Sequence, residues 1–296
     1  MNLAKGKRSI ILHKLSRTAN LIEIPTSLKS GPSVFGQMIV LLVIIAALTA
    51  PLIAPNNPTE IDIPNKLSPP NVQFPLGTDR LGRDLLSRVI YGAQTSLMIG
   101  IVSVSIAMTV GIVVGSSLGY VGGKLDLVGM RFIDAMLAFP SILLAIGIAA
   151  ILGSGVTNAI IAIGIAYVPQ FVRITRGSVL SIKEKDYVEA ARTVGENGVQ
   201  VVFRYVLPNA ISPVIVLATL NIGAAILTSA GLSFLGLGAQ TPTPDWGADL
   251  NEGRLLMREA WWVTAFPGMA IVLTVLGFNL IGDAIRDALD PRLKHE

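Results

Sequence analysis

The stretch DYVEAARTVGENGVQVVFRYVLP, residues 186–208, is polar and charge-bearing and lies between long apolar runs. Asp186 can cap a short helix that runs through Val194. On that helix, Ala190 and Ala191 supply small apolar surface while the charged neighbours keep the rest solvated. Such a helix can dock onto another protein.

The second half of the stretch predicts a change of direction. Gly195 permits a backbone conformation that other residues resist, so a second short helix, from about Gly198 to Val206, can leave at an angle. Pro208 then starts the next apolar run. The sequence therefore predicts a helical elbow at a membrane surface. An ordinary cytoplasmic loop with helical propensity is the alternative interpretation.

The composition places the chain in a bilayer. Apolar residues make up 52% of it and charged residues only 14%, whereas an ordinary soluble domain has about 25% charged residues. The sequence contains no cysteine, which excludes disulfides, thiolate nucleophiles and cysteine metal sites. His13 and His295 lie at opposite ends and are interpreted as surface residues, so no metal site is predicted. No basic stripe with interleaved aromatic residues indicates nucleic-acid binding.

Six apolar runs are long enough to be transmembrane helices, since a helix needs about 20 residues to cross about 30 Å of hydrocarbon. The runs cover residues 34–54, 94–119, 132–152, 156–173, 209–230 and 263–282. About thirty residues precede the first run and no small-residue cleavage pattern ends it, so we expect it to remain as a transmembrane anchor. The predicted fold class is an all-α polytopic membrane protein with six transmembrane helices.

The distribution of basic residues predicts the orientation. With the N-terminus in the cytoplasm, 17 of the 23 Lys and Arg residues face inward, as the positive-inside rule requires. Both termini and the elbow are then cytoplasmic. The predicted divisions are a tail at 1–33, a first span at 34–54, an outward segment at 55–92, a core at 93–283 with an outward loop at 231–262, and a tail at 284–296. The first tail is open to two interpretations, an amphipathic surface helix or a disordered basic segment.

Several function classes are excluded by what the spans lack. No Asp, Glu, Lys or Arg lies in the middle of a span, whereas ion-coupled transporters and pumps carry such groups. The chain has no phosphate-binding loop of the G-x4-G-K-[ST] type, so we expect it not to bind ATP. Paired carboxylates, histidine clusters and nucleophile–base pairs are also missing from the spans, which argues against an intramembrane enzyme. The spans carry few polar side chains, notably Asn158, Gln170, Asn221 and Asn279.

Small residues and prolines mark further candidate positions. Gly111, Gly115 and Gly119 recur every four residues, a track that lets another helix approach closely and that indicates helix packing. Pro140 and Pro169 lie at or near the cytoplasmic ends of the third and fourth spans, where each can kink its helix. Both are candidates for a gate in a pathway that opens and closes, although static helices are kinked in the same way.

The two outward segments carry a second group of candidates. Asp84 can cap a short interfacial helix that enters the second span, and another short helix is predicted from about Trp246. The candidates for docking a binding protein or shaping an entrance are Asp79, Arg83, Asp84, Asp245 and Trp246. The alternative interpretation of each is a helix cap or an interfacial anchor.

Several spaced motifs resemble those of one protein family. They are PLGTD-x-x-GRD-x-x-SR-x-x-x-G from Pro75, the Phe139-Pro140 pair, the elbow, FLGLG-x-x-x-P-x-PDWG from Phe234, and the closing DALDPRLK. Together they resemble the C-type inner-membrane permease of bacterial peptide, opine, glutathione and nickel ABC importers, over roughly residues 34–294. The elbow departs from the family's EAA pattern at Tyr205, where the family has an aliphatic residue or a histidine.

The resemblance implies a type I ABC importer permease fold with cytoplasmic coupling helices. It implies four kinds of partner: a homologous second permease subunit, two cytoplasmic ATPase subunits, an extracytoplasmic substrate-binding protein and the lipid bilayer. By the resemblance, the chain sits in the bacterial cytoplasmic membrane, performs no bond chemistry and has no cofactor of its own, because ATP and Mg²⁺ bind the ATPase subunits. The implied coupling residues are Asp186, Glu189, Ala190, Ala191, Gly195, Leu207 and Pro208.

The function predicted on this basis is transport of di- or oligopeptides through half of a transmembrane pathway. Glutathione, opines and nickel chelates remain open as cargo, and peptide is favoured only as the commoner cargo of the family. A self-contained facilitator or channel is the rival interpretation. It would explain uncharged spans but would leave the elbow without a partner.

Overall fold

Helices form the whole described framework of the computed structural model, which covers residue 28 and residues 30–289. In chain order they are α1 (Gly31–Ile53), α2 (Leu85–Val121), α3 (Gly123–Leu137), α4 (Ser141–Leu152), α5 (Val156–Lys183), α6 (Asp186–Thr193), α7 (Gly198–Val201), α8 (Leu207–Ala210), α9 (Ser212–Phe234), α10 (Trp246–Gly253) and α11 (Trp262–Leu289). A π-helical turn, Val202–Val206, joins α7 to α8. The predicted tail helix, His13 and His295 lie outside the described residues.

Five helices within residues 30–289 are long and apolar enough to cross a bilayer, namely α1, α2, α5, α9 and α11. The remaining predicted span, 132–152, is not one continuous helix. It consists of α3 and α4, which meet at an angle of 90°. Pro140 causes the break, because it lacks a backbone N–H and disfavours helical geometry at the preceding Phe139. Pro169, by contrast, lies buried inside the continuous helix α5.

Several helices run beyond the apolar segments that predicted them. Asp84 caps the helix that enters the second span, as predicted, but that helix is not short: α2 begins at Leu85 and continues for 37 residues. Helix α5 extends to Lys183 and α11 to Leu289, past the predicted ends at 173 and 282. Hydropathy detects only the part of a helix inside hydrocarbon, so polar turns at either end go unnoticed.

The packing of α2 against α5 is the most extensive helix contact, and the predicted glycine track lies in it. A Cβ atom at Gly115 would lie 2.7 Å from the carbonyl oxygen of Val172, and one at Gly119 would lie 3.1 Å from that of Arg176. A Cβ atom at Gly111 would overlap the Cβ atom of Phe171. The two backbones therefore approach as closely as they do because these positions carry no side chain.

The other spans surround this pair. Helix α9 packs on α2 and on α11, and α4 lies along α5. Helix α1 packs on α11, where a Cβ atom at Gly36 would come within 3.0 Å of the Gly277 carbonyl oxygen. Two ends of the bundle result: one carries the elbow, residues 186–208, and the other carries residues 55–84 and 235–261, which we call the cap.

A matched pair of glycine substitutions tests the close approach of α2 and α5. We expect Gly111→Ala to destabilise the protein by about 1–3 kcal/mol, because the new methyl group meets Phe171. Gly177→Ala makes the same chemical change on α5 with no atom within 4 Å, and we expect it to be neutral or slightly stabilising. Thermal unfolding of the detergent-purified chain measures both. Equal midpoints for the two variants would contradict the packing argument.

Candidate functional site

The first helix of the elbow, α6, presents one face to the protein and the other to solvent. Val188 and Ala191 are buried, whereas Glu189 and Ala190 are exposed. The predicted N-cap role of Asp186 is wrong: Lys185 occupies the cap position, and Asp186 is the first helical residue without a capping hydrogen bond. The Asp186 and Glu189 carboxylates still lie in the first turn, where negative charge interacts favourably with the helix dipole.

The turn after α6 has a defined geometry that only a few residues accept. Gly195 has φ +91°, its amide donates to the Arg192 carbonyl, and the Glu196 amide donates to the Ala191 carbonyl. This pair of hydrogen bonds is a Schellman motif, which places glycine in the left-handed region. Asn197 and Gln200 then form a reciprocal capping box that starts α7. The local sequence thus fixes the angle between the two short helices.

A polar contact and a buried cluster brace the elbow. The hydroxyl of Tyr205 donates to Glu196 Oε1 at 3.1 Å, and Arg204 reaches the same oxygen at 3.4 Å. Tyr205, the position that departs from the family pattern, therefore ties the π-helical turn to the residue after Gly195. The buried cluster contains Val179 of α5 together with Val188, Ala191, Val201, Val206 and Ala210.

The elbow is also attached to the end of α2. The Arg192 guanidinium lies 5.4 Å from the centre of the Tyr120 ring, a cation–π contact. Near the end of α5, Lys183 Nζ donates to the Gly119 carbonyl at 3.0 Å. Leu207 and Pro208 begin α8, which leads into α9. The elbow is thereby fixed to the two central helices.

The exposed surface of the elbow carries both charged and apolar side chains, and it is uncovered in the described structure. Val194 is 82% exposed, and Tyr187 is also exposed. Val199 and Phe203 are exposed as well, but they line a pocket next to α2. On α6 and the turn after it, the exposed Tyr187 and Val194 lie in the same segment as the exposed Glu189, and such a mixed surface suits a protein partner.

At the opposite end, ion pairs hold the two segments of the cap together. Arg83 donates to Asp79 at 2.5 Å and to Glu252 at 2.7 Å. Arg88 pairs with Asp249, its Nε lying 2.8 Å from Oδ1. The Arg83–Glu252 and Arg88–Asp249 contacts join residues more than 150 positions apart in the sequence, and they tie the chain around the start of α2 to the short helix α10.

The five predicted docking or entrance residues lie inside the cap. Each is at most 2% exposed: Asp79, Arg83, Asp84, Asp245 and Trp246. Asp84 caps α2 through the amides of Leu86 and Ser87, and Asp245 caps α10 through the Ala248 amide. The indole of Trp246 donates to the Val89 carbonyl at 2.9 Å. In this structure their side chains are engaged in the cap interior and offer no direct docking surface.

Three charged residues that hold the cap in place were not singled out from the sequence: Asp249 and Glu252 within it, and Arg88 in the first turn of α2. Burial raises the pKa of Asp249 to about 6, against the opposing effect of the Arg88 charge. Burial also raises the pKa of Asp245. The sequence shows only that charged residues lie next to apolar spans. It does not show which of these residues pair, because the partners are far apart in the chain.

Two of the predicted polar side chains within the spans meet each other. Gln170 Nε2 donates to the Ser141 hydroxyl at 2.9 Å, and Asn221 Nδ2 donates to Gln170 Oε1 at 3.4 Å. This contact joins α4, α5 and α9 next to the break at Pro140. Asn158 instead donates to carbonyl groups at the end of α4.

Comparison with known proteins agrees with this architecture. Residues 111–295 match the profile of the family described as binding-protein-dependent transport system inner membrane component. Residues 28–70 match the N-terminal transmembrane domain of oligopeptide transport permease C. The solved structure of the MetNI methionine ABC transporter in inward-facing conformations has a chain that superposes with a TM-score of 0.57 at 21% identity, covering 69% of this chain and 97% of that one. This likeness shows the shared fold.

Curated relatives match nearly the whole chain. The dipeptide transport system permease protein DppC of Alkalihalophilus pseudofirmus is 45% identical over 266 residues, which cover 90% of this chain and 88% of that protein. The glutathione transport system permease protein GsiD of Escherichia coli is 46% identical over 258 residues, which cover 87% and 85%. The predicted permease fold and family are confirmed. The chain therefore belongs to the binding-protein-dependent transport system inner membrane components, and it is a multi-pass permease subunit of an ABC importer in the inner membrane.

Proposed function

We propose that this permease forms half of the transmembrane pathway through which di- or oligopeptides, or glutathione, enter the cell, driven by ATP hydrolysis on two partner ATPase subunits. Relatives named for dipeptide and for glutathione transport support this class of cargo. Opines and nickel chelates are the alternative cargo. ATP and Mg²⁺ belong to the partners in this proposal, and the chain itself catalyses no reaction.

The observation that carries the proposal is the elbow. Its first helix turns Glu189 and Ala190 outward, Val194 after that helix is exposed, and its inner face is packed on α5. A small rigid element with an uncovered outer face fits a groove on an ATPase subunit. Movement of that groove then displaces the ends of α2 and α5 as one body. A self-contained facilitator has no use for this surface and is not favoured.

The cap is proposed to receive the extracytoplasmic binding protein, on its exposed rim rather than through its buried ion pairs. Arg80 and Leu255 are exposed on this rim. The buried pairs keep the two cap segments in one shape, so the rim forms a preorganised platform. This arrangement requires both termini and the elbow to be cytoplasmic, an orientation that the distribution of Lys and Arg supports.

Pro140 is proposed as the hinge of a gate. It lies at the 90° break between α3 and α4, next to the Gln170–Ser141 contact. Its missing backbone hydrogen bond lowers the cost of changing that angle. Pro169 is the weaker gate candidate because α5 remains continuous through it.

The assembly can be tested by purifying the tagged chain in a gentle detergent from its native membrane. We expect mass spectrometry to identify a second permease subunit and ATP-hydrolysing subunits, and we expect the preparation to hydrolyse ATP. A stable homo-oligomer without ATPase activity would contradict the proposal and would favour the facilitator.

Gly195→Asp tests the coupling role of the elbow. The variant has room for its side chain, since no atom lies within 4 Å, but the backbone at φ +91° resists any residue with a Cβ atom and the new charge lies beside Glu196. We expect normal membrane insertion with ATP-driven uptake lowered about tenfold or more, equivalent to about 1.4 kcal/mol or more.

The matched control is Gly236→Asp in the cap, where φ is +78° and the space is equally open. We expect Gly195→Asp to lose the co-purifying ATPase and Gly236→Asp to keep it. Wild-type uptake by a correctly inserted Gly195→Asp variant would refute the coupling assignment.

Arg88→Met tests the cap. Removing Arg88 leaves the buried Asp249 carboxylate without its partner, which we expect to destabilise the cap by about 3–5 kcal/mol. Arg80→Met removes an arginine whose side chain is 57% exposed, and we expect less than about 1 kcal/mol. Tryptophan fluorescence during unfolding of the purified chain is a direct measurement, because its three tryptophans all lie in or beside the cap: Trp246, Trp261 and Trp262. Similar unfolding midpoints for the two variants would contradict the structural role of the pair.

A further inference from the structure

A polar cavity of about 440 Å³ lies between α3 and α5, on the side of the bundle that carries the elbow. Its charged lining residues are Asp126, Arg131, Asp134 and Arg176. Small-molecule sites in proteins usually measure about 300–1,000 Å³, so the cavity is large enough for a small cargo. It also presents groups of both signs.

The two ion pairs at this cavity differ in how firmly they are held. Arg176 binds Asp126 through two hydrogen bonds of 2.5 and 2.6 Å, and neither side chain is more than 28% exposed. Arg173 binds Asp134 through one contact of 2.6 Å, and these side chains are 56% and 49% exposed. An exposed, single-contact pair is weak and exchanges readily with another charged partner. Asp134 is therefore available to a ligand, whereas Asp126 is held by Arg176.

Arg131 adds a free positive charge. It is exposed on α3, one helical turn before Asp134, and it forms no ion pair with any residue that the structure describes. Residues three apart on a helix have Cβ atoms about 5–6 Å apart. An extended dipeptide separates its ammonium and carboxylate by at most about 7 Å. Two side chains of opposite charge at this separation can therefore reach the two charged ends of such a cargo.

Polar side chains recur on α5 at three-residue intervals from the cavity, namely Arg176, Arg173 and Gln170. Arg173 lies 17 residues after Val156, the start of α5, or about 25 Å along the helix. One turn earlier, Gln170 contacts Ser141 and Asn221. Arg173 thus lies toward the elbow end of the span, where a charged group faces water or protein rather than lipid because burying it in hydrocarbon is costly. These side chains form a row of polar groups on α5 that ends at Arg176 in the cavity.

We propose that the cavity between α3 and α5 binds zwitterionic cargo as it leaves the pathway, with Arg131 pairing with the cargo carboxylate and Asp134 exchanging Arg173 for the cargo ammonium group. The inference rests on the proposed function, since it assigns this face to the pathway. An anionic lipid head group is the less favoured occupant, because the carboxylates of Asp126 and Asp134 line the same cavity and repel it.

The test uses the complete importer in proteoliposomes, with its binding protein outside and radiolabelled alanyl-alanine or glutathione as the probe. Arg131→Gln and Asp134→Asn each remove one charge, and Arg131→Lys and Asp134→Glu keep it. Arg286→Gln and Asp283→Asn are the matched controls, since both lie exposed near the end of α11 and away from the cavity. Uptake and binding-protein-stimulated ATP hydrolysis are measured separately.

We expect Arg131→Gln and Asp134→Asn to lower uptake about tenfold, the effect of losing one charge-assisted hydrogen bond, while ATP hydrolysis changes by less than about twofold. The charge-keeping variants and both controls should retain uptake. Arg131→Gln is decisive because Arg131 has no ion pair with the described residues whose loss could explain a defect.

Three results would overturn the inference: unchanged uptake in both neutral variants, a parallel fall of uptake and ATP hydrolysis, or a defect that disappears in phosphatidylcholine vesicles and so belongs to an anionic lipid. Absence of uptake by the wild-type importer would instead reject the proposed cargo class, so the two failures are distinguishable.

Discussion

The close packing of α2 on α5 is the contact on which both ends of the molecule depend. Gly111, Gly115 and Gly119 allow it, because a Cβ atom at any of them would press on the backbone or side chains of α5. Helix α2 is 37 residues long, well over the about 20 residues that cross the hydrocarbon, so it reaches from the cap to the elbow. Its first turns carry Asp84 and Arg88 in the cap, and its last turn carries Gly119 and Tyr120 beneath the elbow. One rigid pair of helices therefore connects the two surfaces at which partners are proposed to bind.

This arrangement explains why the elbow is so heavily constrained although it is short. An eight-residue helix has little stability of its own, because helix nucleation is costly. The elbow gains stability from the Schellman turn at Gly195, the capping box at Asn197, the Tyr205–Glu196 hydrogen bond and its packing on Val179. Since each contact fixes it to its neighbour or to α5, a force applied to α6 is transmitted rather than absorbed by local bending. Rigidity, more than any single side chain, suits it to couple movement.

The sequence predicted what has a local signature. The spans follow from apolar length, and the elbow follows from the positions of Gly195 and Pro208 between polar residues. A kink at Pro140 was expected, but not a 90° break, because the angle depends on how α3 packs against α5 through Arg176 and Asp126. The ion pairs and the buried residues of the cap could not be predicted from the sequence. Arg88 and Asp249 are 161 residues apart, so neither their pairing nor the burial of Asp79 and Asp245 leaves a periodic or spaced pattern in one sequence.

The placement of charge differs at the two ends, and the difference bears on function. In the cap, Arg83 and Arg88 are almost fully buried and pair with buried or nearly buried carboxylates. Breaking such a pair leaves a buried charge without a partner, which costs much free energy. These residues are therefore suited to stabilising the cap and poorly suited to exchanging partners during transport. Between α3 and α5, the Arg173–Asp134 pair is half exposed and Arg131 is exposed. Little free energy is lost when those groups change partners. A permease whose cargo is selected upstream needs only such weak, exchangeable contacts, because a tight site along the pathway would retain the cargo it must release.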